Sequence, residues 1–135
     1  MTPDFLTEFK EELEKFKLES IKIHAAPVRE DEMLEITRSK FSGIPYLPED
    51  FKYPLDKNGK PSILIAQINF SEVPVLENYP TEGILQFYVS PTDWYDMDDY
   101  AIIYHPDISK TFQTDFSFLT TDLYEDSPIY CEHKL

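Results

Sequence analysis

Six prolines between residues 45 and 80, at Pro45, Pro48, Pro54, Pro61, Pro74 and Pro80, constrain this chain more than any other feature. Each removes a backbone donor and clashes with the preceding helical turn, so no long helix fits there. What lies between and after them is rich in β-branched and aromatic residues: ILIAQINF at 63–70, ILQFYV at 84–89, AIIYH at 101–105 and TFQTDFSFL at 111–119. These stretches predict four strands. In the last, Phe112, Thr114, Phe116 and Phe118 alternate with Gln113, Asp115 and Ser117, the pattern of a strand with one wet face. Antiparallel pairing follows from such alternation. The chain has only three glycines, and each falls at a predicted turn: Gly43 before Pro45, Gly59 in DKNGK, and Gly83 before the second strand.

Helical signals are confined to the N-terminus. Thr2 and Pro3 followed by Asp4 read as a helix start, and Phe5, Phe9, Leu13 and Phe16 recur at steps of four, four and three. This predicts an amphipathic helix over 3–18 whose apolar stripe is a core contact. Ile21 to Ala26 alternates weakly before Pro27, which leaves helix and strand both open there. The expected fold class is therefore α+β, a mainly antiparallel sheet with the N-terminal amphipathic helix packed on one face. With 135 residues and no repeat or linker, residues 1–135 form a single domain.

Charge narrows the partners. Twenty-six acidic residues against 12 basic ones give a formal charge of −14, which repels nucleic acid and anionic membranes. Ten acidic side chains and only Lys110 and Lys134 lie in residues 91–135. No stretch has the length of apolar sequence that a spanning helix needs, and the N-terminus is acidic where a signal peptide is basic. The single cysteine, Cys131, cannot close an internal disulfide. A cytoplasmic location is the expectation these features set.

The segment from Ser39 to Pro54, SKFSGIPYLPEDFKYP, resembles the opening signature of the YwqG-like family, domain of unknown function 1963. Leu64 to Phe70 with Glu72, Val73 and Pro74 resembles that family's Gln-Ile-Asn strand and exit turn, and Tyr79 to Tyr88 resembles its turn and aromatic strand. Ser42 stands where the family usually has glycine, and Tyr53 where it usually has tryptophan. The resemblance implies an α+β fold built on antiparallel sheet. It also implies that this chain corresponds to the N-terminal half of a longer family member. It carries over no catalytic residue. Family members are discussed alongside bacterial toxin and immunity genes, which motivates an immunity-like reading.

Candidate sites come from the residues themselves. Asp93, Trp94, Tyr95, Asp96, Met97, Asp98, Asp99 and Tyr100 place four carboxylates beside three aromatics. Three readings are open: a solvated loop, a recognition loop in which Trp94, Tyr95 and Tyr100 anchor a partner steered by Asp96, Asp98 and Asp99, and a divalent-metal site. The metal reading lacks the Asp-x-Asp-x-Asp-Gly spacing. Gln67 and Asn69 share one strand face, and Gln86 joins them if register permits. They either meet a ligand's polar edge or satisfy loop backbone, the commoner use of buried amides. Tyr46 and Phe51, in the Pro-rich loop, are a docking surface or a packed loop. His24, His105, Cys131 and His133 show no catalytic or metal-ligand spacing, and no phosphate-cradling loop or nucleophile elbow appears.

The reading these features support is a non-enzymatic protein-binding module without a cofactor, contacting a basic protein partner through Trp94, Tyr95, Asp96, Asp98, Asp99 and Tyr100 together with Tyr46, Gln67, Asn69 and Gln86. The rival is a metal-dependent hydrolase using the carboxylates of 93–99. The sequence specifies neither partner identity nor oligomeric state.

Overall fold

A computed structural model describes residues 3–135, so Thr2 lies outside the described residues. Six strands form one antiparallel sheet: β1 (Ala26–Pro27), β2 (Lys40–Phe41), β3 (Ile63–Asn69), β4 (Ile84–Val89), β5 (Tyr100–His105) and β6 (His133–Lys134), in the order β1-β6-β2-β3-β4-β5. The α+β class with a mainly antiparallel sheet is thus correct. Three of the four predicted strands are present as β3, β4 and β5. They form a meander, and the short β6 brings the C-terminus back between β1 and β2. Pro27 sits in the edge strand β1, the position a residue without an N–H tolerates.

Register divides the sheet into two unlike faces. Gln67 pairs with Gln86, while Phe87 pairs with Ile102 and Leu85 with Tyr104. The register shifts between Leu64 and Ala66, which is why Ile63 and Leu64 are both buried before alternation resumes. On the inner face Leu64, Ile84, Gln67, Gln86 and Tyr88 are covered by the proline-shaped loops, and Tyr46 and Leu47 from those loops are wholly buried against them. On the outer face Tyr100, Ile102 and Tyr104 remain exposed.

Two expectations are corrected. The N-terminal segment is helical, but as a 3-10 helix over Asp4–Phe9 followed by one short α-helix, α1 (Lys10–Glu14), and it buries nothing. Phe5, Phe9, Leu13 and Phe16 are all exposed, so the predicted packing of this helix on the sheet does not occur. The reason is partly geometric. A stripe spaced for 3.6 residues per turn falls out of line where the chain winds at three residues per turn, since positions three apart then eclipse and positions four apart do not. The second correction concerns residues 111–119. They are not a strand; only Phe112 bridges, to Pro48. Gln113 takes the place of a sheet partner by giving its side-chain amide to the carbonyls of Pro48 and Phe51, and its N–H donates to the Leu47 carbonyl. Asp115 then caps the Ser117 N–H and Leu119 closes a turn on Phe116, so the Phe alternation runs through a loop clamp and a turn.

The inner face is held by a ladder of buried amides. Gln86 Nε2 donates to Gln67 Oε1 at 2.9 Å and to the Tyr46 carbonyl at 2.6 Å, while Gln67 Oε1 also accepts from the Tyr46 N–H at 2.9 Å. Gln86 Oε1 accepts the Tyr88 hydroxyl and meets His105 Nε2, each at 2.9 Å. Tyr46 and Phe51 pack edge-on against the His105 ring. Replacing Gln86 with Leu leaves the Tyr46 carbonyl, the Tyr88 hydroxyl and the His105 imidazole without their partner. Chemical denaturation of Gln86→Leu is expected to show a loss of about 2–4 kcal/mol, since each stranded buried group costs its desolvation. Burial also pushes the His105 imidazole below its usual value. The unfolded chain therefore takes up a proton more readily than the folded one, so stability holds above about pH 6.5 and falls as pH drops toward the folded-state value. Tm measured across that range should show this slope, and His105→Gln should flatten it.

Candidate functional site

The amide ladder positions more than the core. Gln67 Nε2 donates to the carbonyls of Ile36 at 2.8 Å and Arg38 at 3.0 Å, and Asn69 Nδ2 donates to that of Thr37 at 3.0 Å. Ser39 adds its hydroxyl as acceptor for the Asn69 N–H. Residues 36–39, which have no regular structure before β2, are thereby pinned to β3. Lys134 Nζ fixes the outer end of the same segment through Glu32 Oε2 at 2.7 Å, an ion pair that holds the Glu32 carboxyl below its usual range.

Pinning this segment above β2 creates a cleft of about 690 Å³, walled by Met33, Leu34, Ile36, Ile44 and Phe112. Its charged groups are Lys40, Glu132, Glu32 and Glu35. Lys40 pairs in register with Gln67 and so projects to the inner face. Its side chain is only 3% exposed, yet its nearest carboxylate oxygen, Glu132 Oε1, stands 3.9 Å from Nζ. Burial pushes the Lys40 ammonium below its usual value, and Glu132 offsets that only in part. Glu132 lies against Gly43, where a Cβ would meet its carboxyl carbon at 2.6 Å. Gly43 has φ +83°, a conformation other residues rarely adopt.

The second candidate is the acidic aromatic loop. Lys57 Nζ meets Asp96 Oδ2 at 2.5 Å, and the Lys57 N–H donates to Asp99 Oδ1 at 3.2 Å. The ammonium, followed by the Asp98 N–H on Asp96 Oδ1, holds the Asp96 carboxyl below its usual range. Trp94 and Tyr95 stack edge-on with centroids 5.7 Å apart. Tyr95, Met97 and Tyr100 are exposed, and the loop borders a shallow apolar cleft of about 270 Å³ whose lining includes Ile65, Phe87, Val89, Trp94, Met97 and Ile102. The loop and the outer sheet face are thus one continuous surface.

The expected site residues therefore part company. Trp94, Tyr95, Asp96, Asp98, Asp99 and Tyr100 are together at the surface. Tyr46, Gln67, Asn69 and Gln86 are buried on the inner face, and their polar groups are engaged by the chain itself. Tyr46 shows nothing to a partner; its hydroxyl accepts the Ser109 N–H at 2.7 Å. The amides serve loop backbone, the second of the two uses considered for them. Among the described residues no group of three or more His, Cys, Asp or Glu side chains is arranged to hold a metal ion. His133 Nδ1 lies 2.8 Å from the Cys131 carbonyl and 4.0 Å from its thiol. The sequence reading missed Lys40 and Glu132, which meet only through the pairing of β2 with β6; the one signal near them was the scarce glycine at 43.

Gly43→Ala is expected to cost about 1–2 kcal/mol from the left-handed backbone alone and to push Glu132 aside. A lowered Tm that Glu132→Ala does not recover would assign the cost to backbone conformation and not to the contact.

The model of a family described as a domain of unknown function (DUF1963) matches residues 39–134, and the chain belongs to that family. The matched range begins beside β2 and ends in β6, leaving the N-terminal helical segment outside it. No curated protein matches the chain. No helix among the described residues is long and apolar enough to cross a membrane.

Proposed function

We propose that this member of the DUF1963 family is a protein-binding module, docking an extended, basic and apolar segment of a partner along β5 and the loop of residues 93–100. The observation that supports this is the exposed outer face of β5. Tyr100, Ile102 and Tyr104 are 59%, 57% and 41% exposed on a strand that pairs on one side only. An unpaired edge accepts an added strand through its backbone groups, and alternate side chains then decide which sequence is accepted. Aromatic anchors buried on such a surface contribute about 1.5–3 kcal/mol each. The carboxylates at its border choose the partner's charge and speed its arrival.

A synthetic peptide alternating Val and Lys tests this reading against the same peptide with Glu in place of Lys. The lysine peptide should bind, weaken as salt rises, and weaken by about tenfold or more when Asp96, Asp98 and Asp99 are all changed to Lys. Ile102→Glu should abolish binding, and exchange of the β5 amides should slow only in the complex. Equal binding of both peptides, or no effect of the triple charge reversal, overturns the proposal. Affinity capture from native lysate with the original and charge-reversed proteins then identifies the partner.

A further inference from the structure

We propose that the cleft above β2 is a binding site for a small elongated apolar molecule ending in a carboxylate, with Lys40 as the group that receives that end. This is separate from the docking surface proposed above, because Lys40 projects to the inner face and that surface is the outer one.

Three observations converge on it. The first is the shape and lining of the cleft, about 690 Å³ bounded by Met33, Leu34, Ile36, Ile44 and Phe112, of the size and character that small-molecule sites have. The second is the state of Lys40. A cation with a 3% exposed side chain ordinarily carries close, hydrogen-bonded partners, because removing an ammonium from water is costly. Here the one nearby carboxylate oxygen is 3.9 Å away, beyond hydrogen-bond reach, and Lys40 is one of the residues that line the cleft. Its lowered pKa expresses the same incomplete compensation. The third is where Glu132 rests. Its carboxyl group occupies the space that a side chain at position 43 would fill, which stations it beside Lys40 and not upon it. With about a third of its side chain exposed, Glu132 has water to turn toward when a second carboxylate arrives.

The polarity of the ligand follows from this arrangement. Glu32 is neutralised by Lys134, so it neither attracts nor strongly repels an incoming group. Glu35 is exposed and screened by solvent. The cation among the residues lining the cleft is Lys40, whose nearest carboxylate oxygen lies beyond hydrogen-bond reach, and an anion or strong acceptor completes its pairing. The apolar remainder of the ligand would lie along Ile36, Ile44 and Phe112.

Calorimetry with decanoate, decanol and decylamine tests the assignment on the full chain. Decanoate should bind at least about tenfold tighter than decanol, equal to about 1.4 kcal/mol, and decylamine should bind weakest. Lys40→Met preserves length and removes a buried charge, so the variant should fold, which its Tm will report. It should bind decanoate and decanol alike. Glu132→Gln removes the competing carboxylate and should tighten decanoate binding without altering that of decanol. Failure of decanoate to exceed decanol, a preference for decylamine, or an unchanged decanoate affinity in folded Lys40→Met overturns the proposal. None of these outcomes depends on the peptide-binding surface, where Ile102→Glu should leave decanoate binding intact.

Discussion

A single cross-strand pair of buried amides, Gln67 on β3 and Gln86 on β4, organises this protein. Both side chains are fully buried, and a buried amide left without partners would cost more than most apolar contacts return. Their hydrogen bonds reach the backbone of three separate loop positions, at Ile36, Arg38 and Tyr46, as well as Tyr88 and His105. Loops that carry so many prolines form few helix or sheet bonds of their own, so the remaining backbone groups need acceptors and donors supplied from elsewhere. The strands supply them. What a helix layer does in other α+β proteins, covering one face of a sheet, is done here by proline-shaped loops fastened with amides.

The consequence is a lopsided molecule. Apolar residues buried on the inner face are few, among them Tyr46, Leu47, Leu64, Ile84 and Tyr88. Leu85, Phe87 and Val89 of β4 point the other way and are half-buried, toward a face that Trp94, Met97 and Phe70 cover only in part, beside exposed Tyr100, Ile102 and Tyr104. It is on the continuity of this apolar surface that the proposed docking of a partner rests. The acidic loop at its border is itself a folded element: Lys57 ties Asp96 and Asp99 to the turn before β3, which fixes the aromatic side chains next to the face they extend.

How much of this the sequence disclosed depends on the range of the interaction. The meander of β3, β4 and β5 was legible, because alternation and β-branched content are local properties and the prolines excluded the competing helix. Ser42 was also informative: it has φ +60°, a conformation glycine adopts freely, which accounts for the glycine usual at that position in the resembling family. The pairing of Gln67 with Gln86 was anticipated only on condition of register. Residues 111–119 misled, because alternating Phe and polar residues serve a loop clamp as well as a strand, and the side chain of Gln113 decides between them. The N-terminal stripe misled differently. Periodicity states that Phe5, Phe9, Leu13 and Phe16 would gain by burial, but it names no surface against which to bury them. Lys40 and Glu132 were invisible, since 92 residues separate two groups that meet only when the C-terminal strand inserts beside β2.

Lys40 is the residue whose position stability alone does not account for. A methionine there would fill the same volume between β3 and β6 without surrendering a hydration shell, and exchanges of that kind in other buried charge clusters leave proteins as stable or more so. The chain has 12 cationic side chains with which to offset 26 acidic ones, and it places this one where solvent hardly reaches. Glu132 does not redress the cost, because the geometry that Gly43 permits holds it short of a hydrogen bond. A fold that tolerates an incompletely compensated ammonium at the base of an apolar cleft has traded some stability for a directional donor. Such a trade is rational where a ligand completes the pairing, and it has no structural benefit where none does.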